Sequence, residues 1–230
     1  MAHKRRGFSL IELMVVVIII GVLAVLAIPA MSYATVERRA YADSILVAEL
    51  FREARTRAMG RGAAEMVSMT AGASDRGTFY LWEAQTLAAP PAGILPLGSP
   101  MYTCGWPTSW PPPGTACNTT VAGTTAACID GVNLNGGIEK VDGIQSAIVG
   151  PATTGGTATQ TAAAVCFTPL GHTYYASGAG APVFIAGSPM IGELQIALTH
   201  TYLGDSSGAT TGITRTVVVP NSGASRIISH

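Results

Sequence analysis

Apolar residues run almost unbroken along the start of the chain and then thin into a helical rhythm. From Phe8 to Ile28 the stretch FSLIELMVVVIIIGVLAVLAI holds one acid, Glu12, and no base. At about 1.5 Å per residue it makes roughly 31 Å of helix, close to the roughly 30 Å hydrocarbon core of a bilayer. The pattern therefore predicts a transmembrane helix over 8–28, longer than the roughly 7–15-residue apolar core of a cleaved secretory signal. Farther on, Val47, Leu50, Phe51, Ala54 and Ala58 recur at i, i+3, i+4, i+7 and i+11, with Glu49, Arg52, Glu53 and Thr56 on the opposite face. Glu53 and Arg57 form an acid-before-base pair one turn apart, and Gly60 and Gly62 supply a stop. The helix is thus expected from about Phe8 to Met59, with residues 29–61 as an amphipathic stem. Gly21 and Pro29 both weaken a helix, and a kink is expected near Pro29.

Residues 62–230 change character. Gly, Thr, Ala and Pro dominate, and short β-branched or alternating runs, Gly77 to Trp82, Glu193 to Thr201 and Thr214 to Val219, are separated by turn residues. Ala88 to Pro100 and Trp106 to Gly114 read as proline-rich loops, and Thr153 to Thr161 as a polar low-complexity tract. The expected fold class is α+β, a long N-terminal helix packed on an antiparallel β-sheet head. Residues 1–7 precede the apolar run as a short leader, and 62–230 form one globular head.

Charge sharpens the topology. The chain carries 13 basic and 13 acidic residues, but they are unevenly placed. His3, Lys4, Arg5 and Arg6 lie before the apolar run, which puts the amino terminus in the cytoplasm and the head outside. Beyond residue 62 there are four bases against eight acids, so the head argues against nucleic acid as a partner, since phosphate binding draws on clustered Lys and Arg. Cys104, Cys117, Cys128 and Cys166 all fall in this outer part, where thiols are oxidised, and predict two disulfides. Four cysteines allow three pairings; loop length favours Cys104 with Cys117 and Cys128 with Cys166. With no C-x-x-C pair, a zinc site fits poorly.

Glu12 is the unusual residue. A carboxylate near the start of a spanning helix is costly unless paired, and such residues are functional by default. Cleavage after Gly7 would make Phe8 a free α-amine four residues before Glu12, a partner within the same chain or on a neighbour. A plain signal anchor leaves the acid unexplained. The block GFSLIELMVVVIIIGVLAVLAIP, with Gly7, Phe8 and Glu12, resembles a type IV prepilin. The resemblance implies cutting between Gly7 and Phe8 by a prepilin peptidase, methylation of the new amine, and docking of Glu12 on the amine of the next subunit in a helical filament. It also implies that the stretch from Gly21 to Pro29 loosens as the subunit enters the filament.

Four later segments are similar to the H-type minor pseudopilins of type II secretion and to the FimT-like minor pilins. They are ARTRAMGRGAAEMVSM (Ala54 to Met69), as helix end and first strand; CIDGVNLNGGIEKVD (Cys128 to Asp142), as a loop after a strand; CFTPLGHTYY (Cys166 to Tyr175), as a turn; and RTVVVPNSGASRIIS (Arg215 to Ser229), as a closing hairpin. A basic residue often follows the glycine in the last two, whereas this chain has His172 after Gly171 and Ala224 after Gly223. The resemblance implies an inner-membrane subunit with a periplasmic head, whose partners are other pilins or pseudopilins, the prepilin peptidase and an inner-membrane assembly platform. It implies a role in starting a pseudopilus for protein secretion. A FimT-like pilus subunit serving motility or DNA uptake, and a major pilin, are the alternatives.

Catalysis finds little support. Gly204 to Gly208 (GDSSG) looks like a serine-protease nucleophile segment, and His200 is near in sequence, but no orienting acid completes a motif. Asn133, Asn135, Gly136 and Asp142 are spaced like a calcium loop, with Gly131 where the first acid belongs. His172, His200 and His230 share no spacing. No cofactor or metal is expected, and the function reads as assembly.

Overall fold

The computed structural model describes residues 9–71, 77–85, 101–105, 108–119, 123–134, 143–150, 159–185, 187–201, 210–222 and 224–229, and within these the side chains of all but 25–36, 143–146, 200–201 and 210–212. Among the described residues one helix, α1 (Leu10–Arg61), precedes ten strands: β1 (Glu65–Thr70), β2 (Thr78–Ala84), β3 (Ala126–Asn133), β4 (Gly143–Val149), β5 (Thr159–Gln160), β6 (Ala162–Phe167), β7 (Thr173–Ser177), β8 (Glu193–Thr201), β9 (Thr210–Pro220) and β10 (Arg226–Ser229). The chain divides into two units, Met1–Arg39 and Ala40–His230.

In the first unit α1 is apolar from Leu10 to Leu23 apart from Glu12, and its large apolar side chains there are 46 to 79% exposed. Among the described residues no helix is long and apolar enough to cross a membrane. Phe8 and the side chains of Val25 to Ile28, part of the span expected from sequence, lie outside them.

In the second unit the stem turns its apolar stripe inward. Val47, Leu50, Phe51, Ala54 and Ala58 are buried, whereas Glu49, Arg52, Glu53 and Thr56 are exposed. The helix ends at Arg61, and Gly62 follows in the left-handed conformation (φ 68°) that favours glycine at this position.

The strands form two five-stranded sheets, ordered β3-β2-β1-β6-β7 and β10-β9-β8-β4-β5. Every pairing is antiparallel. The stem and the inner faces of both sheets share one core, to which β1 gives Val67 and Met69, β2 Phe79 and Leu81, β8 Leu194, Ile196 and Leu198, and β9 Val217 and Val219. Period-two alternation sends Met66, Tyr80, Trp82, Ala164 and Cys166 to the other face of the first sheet. There they form a second core with Cys104, Trp110 and Phe184 from the loops. The Trp110 and Phe184 rings meet edge to face at 6.5 Å, and Trp110 Nε1 donates to the Cys104 carbonyl at 2.7 Å. Burial on both faces explains why β1, β2 and β6 are covered almost throughout.

Both disulfides form, but with other partners than loop length favoured: Cys104 bonds Cys166, and Cys117 bonds Cys128. Register gives the reason. Cys128 faces Trp82, Trp82 faces Met66, and Met66 faces Cys166, so Cys128 and Cys166 sit in one row across four strands. Three strand spacings of about 4.8 Å separate them by roughly 14 Å, beyond the roughly 7 Å limit between bridged Cα atoms. Cys104 instead reaches Cys166 with Cα atoms 5.9 Å apart.

Candidate functional site

The helix start is set by Ser9, whose carbonyl accepts from the backbone N–H of Glu12 at 3.1 Å and of Leu13 at 3.3 Å. Glu12 therefore lies in the first turn, where the positive end of the helix dipole favours an acid. Its side chain is exposed and stands among Leu10, Ile11, Leu13 and Met14, all more than half exposed. Gly7 and Phe8 lie outside the described residues. The helical backbone continues through Gly21 and Pro29, and the space around Gly21 is open to 4 Å.

The segments set apart by sequence fall as follows. Ala54 to Met69 contains the helix end and β1; Cys128 to Asn133 lies in β3; Cys166 to Tyr175 joins β6 to β7 through a turn in which Gly171 N–H donates to the Thr168 carbonyl at 2.9 Å; and Arg215 to Ser229 forms the β9–β10 hairpin. Of the calcium-like loop, Asn135, Gly136 and Asp142 lie outside the described residues, as do Gly204 to Gly208 and His230. Among the described residues no group of three or more His, Cys, Asp or Glu could hold a metal ion.

Sequence reasoning missed one cluster. It counted Glu65 and Glu83 among the head acids and gave Arg57 to Glu53. In the fold Glu65 and Glu83 are 0% and 1% exposed. Arg57 Nη2 lies 3.2 Å from Glu83 Oε2 and its Nη1 only 3.8 Å from Glu53 Oε1. Arg61 grips Glu83 with Nε at 2.7 Å and Nη2 at 3.1 Å. Glu65 keeps an ion-pair contact of 3.5 Å with Arg57 Nε, yet neither of its oxygens accepts a hydrogen bond among the described residues. Its carboxyl is pushed up to about 8, first by burial and then by the charge of Glu83, with Arg57 pulling the other way. Alternation held the signal, because Glu65 is in phase with Val67 and Met69, and Glu83 with Leu81 and Phe79.

Residues 2–28 match the model of the prokaryotic N-terminal methylation motif. The match supports a type IV pilin-like protein. It covers Gly7, Phe8, Glu12 and Gly21, and points to prepilin processing and assembly with other pilins. No curated protein matches the chain. No solved structure matches it either.

Proposed function

We propose that this pilin-like chain is a minor pseudopilin of the type II secretion system, a structural subunit that helps to start the periplasmic pseudopilus. One observation carries the reading: Glu12 is the lone acid on an exposed, otherwise apolar helix inside the methylation motif. Exposed apolar surface on this scale needs lipid or protein to cover it. Before assembly the bilayer covers it, with the basic leader in the cytoplasm and the head in the periplasm. After cleavage at Gly7 and methylation of Phe8, neighbouring subunits cover it, and Glu12 pairs with the amine of a neighbour instead of facing hydrocarbon as an uncompensated charge. The chain acts by assembly and carries out no catalysis.

The closing hairpin favours secretion over DNA uptake. Arg215 is 7% exposed and lies over the Tyr41 ring at 5.7 Å, and Arg226 pairs with Glu193 at 2.9 Å. Arg215 is thus buried, and Arg226, though exposed, has its charge balanced by Glu193. Deleting the gene and measuring secreted proteins and surface pili in one strain tests the proposal. Loss of secretion with pili intact is the expected outcome; loss of pili with secretion intact would replace it with a FimT-like pilus role.

A further inference from the structure

The second unit holds a buried charged cluster where the end of α1 meets β1 and β2. Glu83 and Glu65 are direct register partners on β2 and β1, and Phe167 of β6 is the next member of the row. All three point to the helix side of the sheet. Opposed positions on one face of an antiparallel pair bring Cβ atoms within about 5.5 Å, where like charges destabilise the pair.

The cations do not divide evenly between the two acids. Arg57 and Arg61 both hydrogen-bond Glu83, and Gln85 Nε2 donates to it at 3.4 Å. Glu83 is thus the member whose oxygens are satisfied. Among the described residues the cation nearest Glu65 is Arg57 at 3.5 Å, whose guanidinium also serves Glu83 and Glu53. From β6 the neighbour is the uncharged Phe167, with Arg55 over its ring at 5.9 Å. A second buried carboxylate with no hydrogen bond is expensive; a carboxylic acid there gains a donor to aim at Glu83.

We propose that Glu65 and Glu83 share one proton in the folded chain, and that this proton latches the last two turns of α1 to β1 and β2, so that alkaline solution loosens the junction. The raised titration of Glu65, to about 8, agrees in direction with the geometry. The sign follows from linkage. Glu65 holds its proton more tightly folded than unfolded, where its ordinary value is 4.5. Its contribution to stability is therefore complete below about 4.5 and is lost as pH climbs through about 8.

The test uses the full chain in detergent micelles, labelled with carbon-13 at the glutamate carboxyls and titrated by NMR beside thermal unfolding. One carboxyl should titrate near 8 and vanish in Glu65→Gln. The unfolding midpoint should fall from about pH 5 to about pH 9 in the native chain and stay flatter in Glu65→Gln. In Glu83→Gln, with the neighbouring charge gone, the Glu65 titration should move down. The proposal is overturned if every glutamate of the native chain titrates in the ordinary carboxylate range, a result that needs no variant to fold. It is also overturned if Glu83→Gln leaves the Glu65 titration where it was.

Discussion

The hydroxyl of Ser225 donates to the carbonyl of Ala48 at 2.7 Å, although 177 positions separate them in sequence. Arg52 returns the contact by donating from Nε and Nη2 to the Ser225 carbonyl at 3.2 and 3.0 Å. The residue just before β10 of the closing hairpin is thereby fastened to the middle of the stem, beside the buried Phe51.

Ser225→Ala should therefore lower stability by about 1 kcal/mol, the usual net worth of a buried hydrogen bond. Arg52→Ala should cost a similar amount, and the double variant should cost less than the sum, since both act on one junction. Urea unfolding of the full chain in micelles, followed by tryptophan fluorescence, measures all three. A native midpoint in Ser225→Ala would mean that the bond contributes nothing.

The two disulfides should differ in access. Cys104 and Cys166 are buried in the second core, whereas Cys117 is exposed. Limited reductant should open Cys117–Cys128 first, as peptide mapping with thiol labelling will show. Removing Cys104–Cys166, with a sequence separation of 62, should cost roughly 4 kcal/mol, against roughly 3 kcal/mol for the separation of 11 between Cys117 and Cys128.

Two glycines should resist replacement for different reasons. A Cβ on Gly105 would stand 2.8 Å from the Phe184 carbonyl oxygen, a backbone atom with little room to yield. Gly105→Ala should displace the Phe184 segment and cost on the order of 1–3 kcal/mol. Gly62→Ala meets open space but must adopt φ 68°, and should cost about 1 kcal/mol. Thermal unfolding separates them if Phe184→Ala is added: without the ring that anchors it the Phe184 backbone can yield, so the penalty at Gly105 should shrink and that at Gly62 should not.

Glu12→Ala should leave the proposed cleavage after Gly7 intact, because the acid stands well beyond the Gly7–Phe8 bond in sequence. Incorporation into sheared filaments should fall sharply. Processing and assembly are read by mass spectrometry of the mature amino terminus and by immunoblotting; normal incorporation would refute the pairing role.

Local pattern made much of this fold legible. The stem declared itself because a period of 3.6 places Val47, Leu50, Phe51, Ala54 and Ala58 on one face, and all five are buried. Glu193 to Thr201 was readable as a strand to the residue, since Leu194, Ile196 and Leu198 fall on every second position there. Short β5, at the end of a tract of Thr and Gly, carried no such signal, because it exists only by pairing with Ile148 and Val149. The candidate assembly site was legible for the opposite reason: an acid in an apolar run is conspicuous without any fold.

By itself the sequence determined the apolar, acid-bearing start of the long helix with its methylation motif, the amphipathic stem with its glycine stop, and a head of antiparallel strands. Each follows from residues a few positions apart, where periodicity and turn chemistry act. Only the tertiary structure decided that β1 lies between β2 and β6 and that β8 lies between β9 and β4. That order put Cys128 three strands away from Cys166, brought Cys104 to it, and set Glu65 beside Glu83 beneath Arg57 and Arg61. Strand order joins segments far apart in the chain, and the energy that selects it comes from two shared cores, which no local window of sequence contains.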